Sequence, residues 1–379
     1  IGRTNRTSRF AFEETAYLLL FGELPLPEEL RRFTGALAGL RALPRNFVAD
    51  VLQACPTPNI MNGLARFILT LYSVDVDPEN LAFENQVRQA MEVVARMPTL
   101  VPYAYHVIRY NRNNESLVFH KPDPSLSSAE NFLRLLRKDG EYSELEARTL
   151  DMSLVLHGDH GGGNNSTFTT RVVSSTLTDI YSSISAAIGS LKGLLHGGAN
   201  GRVVDMMEDL KKQIGVTPDR AAVRGYLTRL VQGQAFDGNG KVYGMGHAVY
   251  TLSDPRAVIL KRYARRLAWE KGREADLELW QLVEEEAPKA LREVKKDDSI
   301  VISPNVDFYS GFVYECLDIP REVFTPLFAM GRMPGWCAHR LEMMSNPMKI
   351  VRPAFKAVCK HCNPEVDRCE SCMYLIKPC

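Results

Sequence analysis

Apolar residues recur at steps of three and four along most of the chain, which is the spacing of helices with one buried face. The pattern predicts helices over residues 12–21, 80–95, 127–137, 143–156, 172–191, 202–214, 218–232, 254–271 and 277–294, with two more opening near Pro27 and Pro58. Pro98 and Pro102 are expected to break the helical pattern that precedes them. Only residues 242–243 and 299–302 have an extended pattern. The sequence therefore predicts an all-α fold.

The segment from Leu156 to Asn200 carries polar groups at both ends of a strongly apolar stretch. It opens with His157-Gly158-Asp159-His160, continues through a turn rich in glycine and asparagine, and ends on His196-Gly197-Gly198. Between these ends, residues 172–191 are predicted to form one helix whose small residues allow neighbouring helices to approach closely. An ordinary buried core helix explains this stretch as well as an active-site helix does.

Composition and charge describe an ordinary globular protein. The chain has 379 residues, of which 45% are hydrophobic and 24% are charged, and its formal net charge is +1. This balance gives no support to a nucleic-acid partner, which usually requires a basic surface. No apolar run reaches the roughly 20 residues that a membrane helix needs, so no membrane partner is expected. Because the chain begins at Ile1 without a methionine, we expect a fragment or a processed product.

Cysteines divide the chain into a body and a tail. Cys55, Cys316 and Cys337 are scattered in apolar or helical contexts, so they are expected to be buried thiols of a cytoplasmic protein. Five more crowd the end of the chain, at Cys359, Cys362, Cys369, Cys372 and Cys379. The first four form two CxxC pairs that could bind zinc, although the six residues between the pairs are few for a zinc ribbon. A divergent terminus or a redox-sensitive tail remains open.

Four motifs place a polar side chain beside glycine or proline, where a backbone turn can direct it into a cavity. They are His157-Gly158-Asp159-His160, His196-Gly197-Gly198, Gly244-Met245-Gly246-His247 and Pro304-Asn305-Val306-Asp307. Each motif alone is better explained by a helix cap or a satisfied core residue. The first motif could bind zinc or iron, but such sites usually need further ligands at recognisable spacing, so a metal is disfavoured there.

Three arginines lie in contexts that call for a partner. Arg256 follows Asp254-Pro255, Arg332 lies within an apolar helical run, and Arg352 precedes Pro353. An arginine in an apolar stretch requires a counter-charge, because burying its guanidinium unpaired is costly. The partner is either a carboxylate of the protein or a di- or tricarboxylic substrate held by paired hydrogen bonds.

In order and spacing, these motifs resemble those of the citrate synthase family over about residues 10–355. The segments HGDHGGGNNSTFT, LHGGAN, GMGHAVYTLSDPR and NVDFYSG each match a motif of that family. Four ordered motifs in one helical chain make the resemblance specific. It implies a bacterial-type enzyme that condenses acetyl-CoA with oxaloacetate and hydrolyses the resulting citryl-CoA to citrate and CoA.

The resemblance also implies catalytic roles. Asp307 would remove a proton from acetyl-CoA, and His196 would donate a hydrogen bond to the thioester oxygen as the enol forms. His247 would polarise the oxaloacetate carbonyl and protonate the alkoxide. Asn164 and Ser166 would support the site from behind.

Substrate contacts follow from the same resemblance. Oxaloacetate would be bound by His160, Arg256 and Arg332, together with Arg352 from the neighbouring subunit of a homodimer. The adenine of CoA would lie along a loop through backbone groups of Val242, Tyr243, Gly244, Met245 and Gly246. No cofactor is implied beyond acetyl-CoA as a substrate.

The implied architecture is a citrate synthase-like helical fold of two domains. A large domain would comprise residues 1–200 and 313–358, a small inserted domain residues 201–312, and an unrelated cysteine-rich tail residues 359–379. The small domain would close over the substrates, and part of the family's N-terminal portion would be missing before Ile1.

Two other functions remain open. A 2-methylcitrate synthase would use propionyl-CoA in the same reaction. A regulatory or metal-binding protein derived from an inactive synthase would use the cysteine tail as its binding module. The intact His196, His247 and Asp307 argue against the second alternative.

Overall fold

The fold is built almost entirely from α-helices. A computed structural model describes residues 10–217, 219–247, 249–346 and 349–353, and the backbone of two short strands beyond them. In these ranges the helices are α1 (Phe12–Phe21), α2 (Pro27–Leu40), α3 (Ile60–Leu71), α4 (Phe83–Asn113), α5 (Ser128–Leu136), α6 (Glu144–His157), α7 (Asn165–Ser174), α8 (Ile180–Leu191), α9 (Ala199–Ile214), α10 (Arg220–Val231), α11 (Pro255–Lys271), α12 (Glu274–Lys295), α13 (Val306–Cys316) and α14 (Arg321–Ser345). Strands β1 (Phe355–Ala357) and β2 (Ile376–Pro378) pair antiparallel. The predicted all-α class is confirmed.

The helices pack in two groups that meet around α6, α11 and α14. In the first group, α4 and α14 are central: α4 packs against α2, α3, α5 and α14, and α14 also packs against α1, α6, α7 and α8. In the second group, α10 packs on α12, and α13 packs on α9 and α11. Contacts of α6 with α11 and of α9 with α14 join the groups. The motif residues lie at this junction.

The prediction that Pro98 and Pro102 break a helix is wrong. Helix α4 runs without interruption from Phe83 to Asn113, and both prolines are buried within it. Each proline removes one backbone hydrogen bond, at a cost of about 3 kcal/mol in an isolated helix. Four neighbouring helices cover α4, so the apolar burial that sequence propensity ignores outweighs this loss.

The predicted single helix over residues 172–191 is also wrong. Helix α7 ends at Ser174, Leu177 adopts a left-handed conformation with φ of 63°, and Asp179 caps the start of α8 by accepting a hydrogen bond from Ser182 N–H. The two helices fold back on each other as a hairpin. The apolar stripe of α8 is buried as predicted. The apolar spacing suggested one continuous helix. Instead the left-handed backbone at Leu177 follows the end of α7, and the capping Asp179 begins α8.

Three smaller predictions can be compared with the structure. Cys316 and Cys337 are buried as expected, whereas Cys55 is exposed. Residues 242–243 and 299–302 are not strands, although a single bridge joins Met245 to Pro304. Across the described residues, none of the helices is long and apolar enough to cross a membrane.

Candidate active site

His160, His247 and Arg256 lie together although distant parts of the chain supply them, and we call the space that they border the pocket. His160 follows the end of α6, His247 lies in the loop before α11, and Arg256 is in the first turn of α11. The Nε2 atoms of the two histidines are 3.3 Å apart. The Nη2 atom of Arg256 is also 3.3 Å from His247 Nε2. The structure therefore brings together three residues that the sequence assigned to two separate motifs.

Arg256 is held by Asp254, a buried carboxylate at the N-cap of α11. Asp254 accepts hydrogen bonds from Arg256 Nε at 3.0 Å, Nη2 at 2.8 Å and the backbone N–H at 2.9 Å. The backbone N–H of Val306 also donates to it, at 3.2 Å. This pairing fixes the plane of the guanidinium group. Asp254 was not predicted to be a site residue, although an aspartate before a proline is a recognisable helix cap.

Arg332 is fully buried in the middle of α14, and no carboxylate pairs with it among the described residues. Its Nε donates to the carbonyl of His157 at 2.6 Å, whereas Nη1 and Nη2 have no partner there. By contrast, the buried Arg41 pairs with Glu13, and the buried Arg340 uses all three nitrogens. Burial lowers the pKa of Arg332 to about 10, so the group stays charged at neutral pH. An unpaired buried guanidinium is suited to bind an anion.

Two glycines of α14 allow the end of α6 to pack directly against its backbone. A Cβ atom on Gly331 would lie 2.9 Å from the His157 Cβ, and one on Gly335 would lie 2.3 Å from the Gly158 carbonyl oxygen. Both distances are too short for a side chain. Because the backbones approach this closely, the HGDH motif and Arg332 face the same pocket.

Asp307 lies in the first turn of α13, tied to the loop that carries His247. Asn305 caps α13 by accepting from the Asp307 N–H at 3.0 Å. Its own backbone N–H and side-chain amide donate to the carbonyls of Gly244 and Gly246, at 2.9 Å each. The dense protein surroundings of the carboxyl raise the pKa of Asp307 to about 6, against the lowering effect of nearby arginine charge. The carboxyl can therefore exchange a proton near neutral pH.

His196 lies in the turn between α8 and α9 and contacts the start of α7. Its Nε2 is 3.0 Å from Ser166 Oγ, which in turn is 2.8 Å from Asn164 Oδ1. Burial lowers the pKa of His196, and the charge of Arg332 acts in the same direction. The ring is therefore neutral at pH 7. Asn164 and Ser166 lie next to the ring, and their supporting role stays a prediction.

The backbone selects the tautomer of His247. The N–H groups of Val249 and Tyr250 point to its Nδ1, at 3.0 and 3.3 Å. Two backbone donors at Nδ1 outweigh the single contact of Arg256 Nη2 with Nε2, and Arg256 Nη2 already donates to Asp254, so this arrangement favours the proton of the neutral ring on Nε2. Burial, followed by the charge of Arg256, lowers the pKa of His247 and keeps the ring neutral. His247 thus presents an N–H donor to the pocket beside His160.

Arg352 and the glycine-rich loop do not join this cluster. Arg352 is exposed and makes no hydrogen bond or ion pair with the part of the chain that the structure describes. The predicted CoA loop is packed against the protein: Gly244 has φ of 77° and no room for a side chain, and the Tyr243 hydroxyl donates to Asp237 at 2.6 Å. The roles assigned to Arg352 and to this loop stay predictions.

Two residues of the pocket carry no assigned role from sequence. His157 and Tyr314 are hydrogen-bonded at 2.8 Å, next to Arg332, although 157 positions separate them in the chain. Nothing in the sequence pairs them, because His157 was noted only as part of the HGDH motif and Tyr314 lies in an ordinary apolar helical context.

The sequence disfavours a metal at the HGDH motif, and it offers a candidate zinc site in the cysteine-rich tail. Among the residues that the structure describes, no group of three or more His, Cys, Asp or Glu side chains could hold a metal ion. The candidate zinc ligands Cys359, Cys362, Cys369 and Cys372 lie outside the described residues. Zinc binding by the tail therefore stays a prediction.

Comparisons with known proteins agree with this geometry. A family model described as "Citrate synthase, C-terminal domain" matches residues 5–354. A citrate synthase from Deinococcus radiodurans is 36% identical over 342 residues, covering 90% of this chain and 84% of that protein. A 2-methylcitrate synthase from Shewanella oneidensis is 33% identical over 343 residues, covering 90% of this chain and 83% of that protein.

The fold comparison gives the same result. A citrate synthase from Thermoplasma acidophilum, solved as a ternary complex with carboxymethyl coenzyme A and oxaloacetate, superposes with a TM-score of 0.76 at 28% identity. The match covers 90% of this chain and 84% of that chain. Since the family model spans nearly the whole described body and the four motifs meet in one pocket, the chain belongs to the citrate synthase family.

Proposed function

We propose that this chain condenses acetyl-CoA with oxaloacetate and hydrolyses the citryl-CoA product to citrate and CoA. The observation that carries the proposal is the pair of buried Arg332 nitrogens that have no partner among the described residues. Arg332 lies near His160, whose pKa is lowered by burial and by the charges of Arg332 and Arg256. Two guanidinium groups and two neutral imidazoles match a small dicarboxylate that carries a ketone. Arg352 of a partner subunit would contribute a third cation to the same substrate.

Proton abstraction would begin at Asp307. With a pKa of about 6, Asp307 is ionised at pH 7 and is a stronger base than an ordinary aspartate. As it takes a proton from the acetyl methyl group, negative charge moves to the thioester oxygen. An N–H group of the neutral His196 ring would donate a hydrogen bond to that oxygen and stabilise its charge.

Carbon–carbon bond formation would involve His247. The enol carbon attacks the ketone carbon of oxaloacetate, whose oxygen accepts a hydrogen bond from His247 Nε2–H. That proton passes to the alkoxide as the bond forms, which yields citryl-CoA. Water then adds to the thioester, and the sulfur leaves as CoA. We propose no metal or cofactor in these steps.

We further propose that residues 201–312 form a small domain that closes over the substrates. The mutual packing of α9 to α13 supports this division, because few helix pairs join them to the remainder. The adenine of CoA would lie along the Val242–Gly246 loop of this domain. Closure would exclude water until condensation is complete, which protects the enol from side reactions.

A homodimer is proposed on the surface of the α7–α8 hairpin. Large apolar side chains are exposed there and in the turn that follows: Phe168 by 50%, Leu177 by 52%, Leu194 by 86% and Leu195 by 100%. Exposed apolar groups in such density are typical of protein interfaces. The turn carrying Leu194 and Leu195 also carries His196, so the interface would adjoin the active site.

A cytoplasmic location is proposed on the chemistry of two thiols. Cys316 and Cys337 are both buried. Both are free, and thiols of this kind are typical of proteins in reducing compartments.

The deciding experiment is release of CoA from acetyl-CoA and from propionyl-CoA in the presence of oxaloacetate. A higher kcat/KM with acetyl-CoA supports the proposal. A higher value with propionyl-CoA would favour the 2-methylcitrate synthase alternative, which the Shewanella oneidensis relative keeps in view. Failure to release CoA from either donor by a folded protein would favour an inactive, regulatory relative.

A further inference from the structure

The hydrogen bond between His157 and Tyr314 has no part in the reaction steps proposed above. Both side chains are fully buried, and His157 Nε2 lies 2.8 Å from the phenol oxygen. Burial lowers the pKa of His157 well below its ordinary value and raises the pKa of Tyr314, so both groups stay neutral in the working range of pH. A hydrogen bond between neutral groups is directional, whereas the apolar contacts around it are not.

His157 connects this bond to the groups that would bind oxaloacetate. It is the last residue of α6, three positions before His160. Its carbonyl oxygen accepts a hydrogen bond from Arg332 Nε at 2.6 Å. Its Cβ touches the backbone of α14 at Gly331, where no side chain fits. A residue so tightly placed moves only together with both oxaloacetate-binding groups.

Tyr314 connects the bond to the proposed base. It lies on α13 seven positions after Asp307, which is two helical turns along one face. Most of α13 packs on α9 and α11, which belong to the second helix group. Tyr314 reaches the first group instead, through His157 and through edge-to-face packing on Phe324 of α14 at 5.2 Å. One end of α13 thus carries the base, and the other end is fastened to the oxaloacetate side.

We propose that Tyr314 is a positioning residue for Asp307, because its hydrogen bond to His157 sets the rotation and height of α13 relative to His160 and Arg332. The inference rests on the condensation reaction proposed above. In that reaction the methyl group of acetyl-CoA must lie next to Asp307, at one end of α13. It must also lie next to the ketone of oxaloacetate, on the other side of the pocket. A misplacement of about 1 Å between such groups costs on the order of 100-fold in rate.

The test variant is Tyr314→Phe, which removes one oxygen and keeps the ring on Phe324. We expect kcat to fall by about 10- to 100-fold, because Asp307 is no longer held at the best distance from the methyl group. The dissociation constant of oxaloacetate should stay nearly unchanged, because His160 and Arg332 remain seated on α14. The primary deuterium isotope effect on kcat with methyl-deuterated acetyl-CoA should rise, since proton abstraction becomes slower relative to later steps.

The matched control is Tyr226→Phe. Tyr226 is also fully buried and donates to Asp209 at 2.7 Å, but it lies on α10, away from the pocket. Both variants lose one buried hydroxyl group, so both should lower Tm. Only Tyr314→Phe should change the isotope effect, which reports on folded, active molecules and is insensitive to a loss of folded protein.

If Tyr314→Phe does not fold, the double variant His157→Leu, Tyr314→Phe removes both polar partners and leaves neither unsatisfied. It should show the same lowered kcat and raised isotope effect. If a folded variant has the same kcat and isotope effect as the unsubstituted protein, this inference is wrong but the proposed function is not. The same holds if the variant loses only oxaloacetate affinity. Absence of turnover by the unsubstituted chain would overturn the proposed function and this inference with it.

Discussion

Arg41, Arg332 and Arg340 are all buried. Their hydrogen-bond partners distinguish the two structural arginines from the candidate substrate-binding one. Arg41 pairs with Glu13 and leaves only its Nε without a partner, and all three nitrogens of Arg340 donate to side-chain or backbone oxygens. Arg332 keeps two terminal nitrogens without a partner in the described part of the chain. Burying an unpaired cation lowers stability, so such a group is retained where a ligand completes it.

Arg332→Met should separate binding from stability. Oxaloacetate affinity should fall by about 100-fold or more, because a buried charge-assisted contact is lost. The free energy of unfolding without ligand should stay the same or rise, because the unpaired charge is removed. Calorimetric titration and urea denaturation measure the two quantities.

The matched variant is Arg340→Met. It should lower the free energy of unfolding by about 1–3 kcal/mol, because it leaves Gln86 Oε1 and the Ser183 hydroxyl without their partner. A large loss of stability in Arg332→Met would mean that Arg332 is a structural residue.

The fall of activity at low pH should reflect the protonation of Asp307. Its raised pKa of about 6 means that the carboxyl is protonated, and inactive as a base, below that pH. We therefore expect kcat/KM for acetyl-CoA to fall about tenfold per pH unit below pH about 6 and to level off above it. An apparent pKa near that of an ordinary aspartate, about 3.9, would contradict this assignment.

Asp307→Ala tests the same residue without titration. Condensation should be abolished, whereas oxaloacetate binding should be largely intact, since His160, Arg256 and Arg332 are unchanged. Loss of oxaloacetate binding in a folded variant would mean that Asp307 contributes to substrate binding rather than to proton abstraction.

Helices were the best-predicted elements, and two of their failures occur where another interaction outweighs local helix propensity. Local spacing of apolar residues predicted α1, α5, α6 and α11 closely. It did not predict that α4 continues through Pro98 and Pro102, or that Leu177 and Asp179 separate α7 from α8. In both places a tertiary or capping interaction outweighs propensity, and neither is visible in the spacing of apolar residues.

The contact between α6 and α14 offers a test at the level of elements. Gly335→Ala would place a Cβ 2.3 Å from the Gly158 carbonyl oxygen, so the two helices must separate. We expect the free energy of unfolding to fall by about 1–3 kcal/mol. Oxaloacetate affinity should fall as well, because His160 and Arg332 lie on opposite sides of this contact.

A matched substitution is Gly225→Ala on α10. No atom lies within 4 Å of its added Cβ, and the position is exposed in the middle of a helix. This change should raise the free energy of unfolding by about 0.5–1 kcal/mol through helix propensity. A Gly335→Ala variant with the same gain would show that the glycine contact does not position the pocket.

At the scale of the whole molecule, the pocket lies where the two helix groups meet. His160 and Arg332 come from the first group, whereas Arg256 and Asp307 come from the second. The pocket geometry therefore depends on how the groups are oriented, which is the arrangement that a closing enzyme needs. The proposed dimer would add Arg352 from outside both groups.

Subunit complementation tests the origin of Arg352. Asp307→Ala and Arg352→Ala should each be nearly inactive alone. If Arg352 acts across a dimer, the mixed dimer contains one site with both residues intact. Random mixing should then restore about a quarter of the parental activity, because half of the dimers are mixed and each has one intact site. No recovery in mixed dimers would place Arg352 in its own subunit's site.

The sequence by itself determined the helical class, most helix positions and the residue types in four motifs, because these depend on local spacing and turn chemistry. The resemblance carried by those motifs also singled out His196, His247 and Asp307. Only the tertiary structure decided that two nitrogens of Arg332 lack a partner among the described residues, that Asp254 holds Arg256, and that Tyr314 reaches His157. Hydrogen bonds and charge pairs between distant segments form in space and leave no periodic trace in the chain, so burial and distance had to be measured before these residues could be assigned a role.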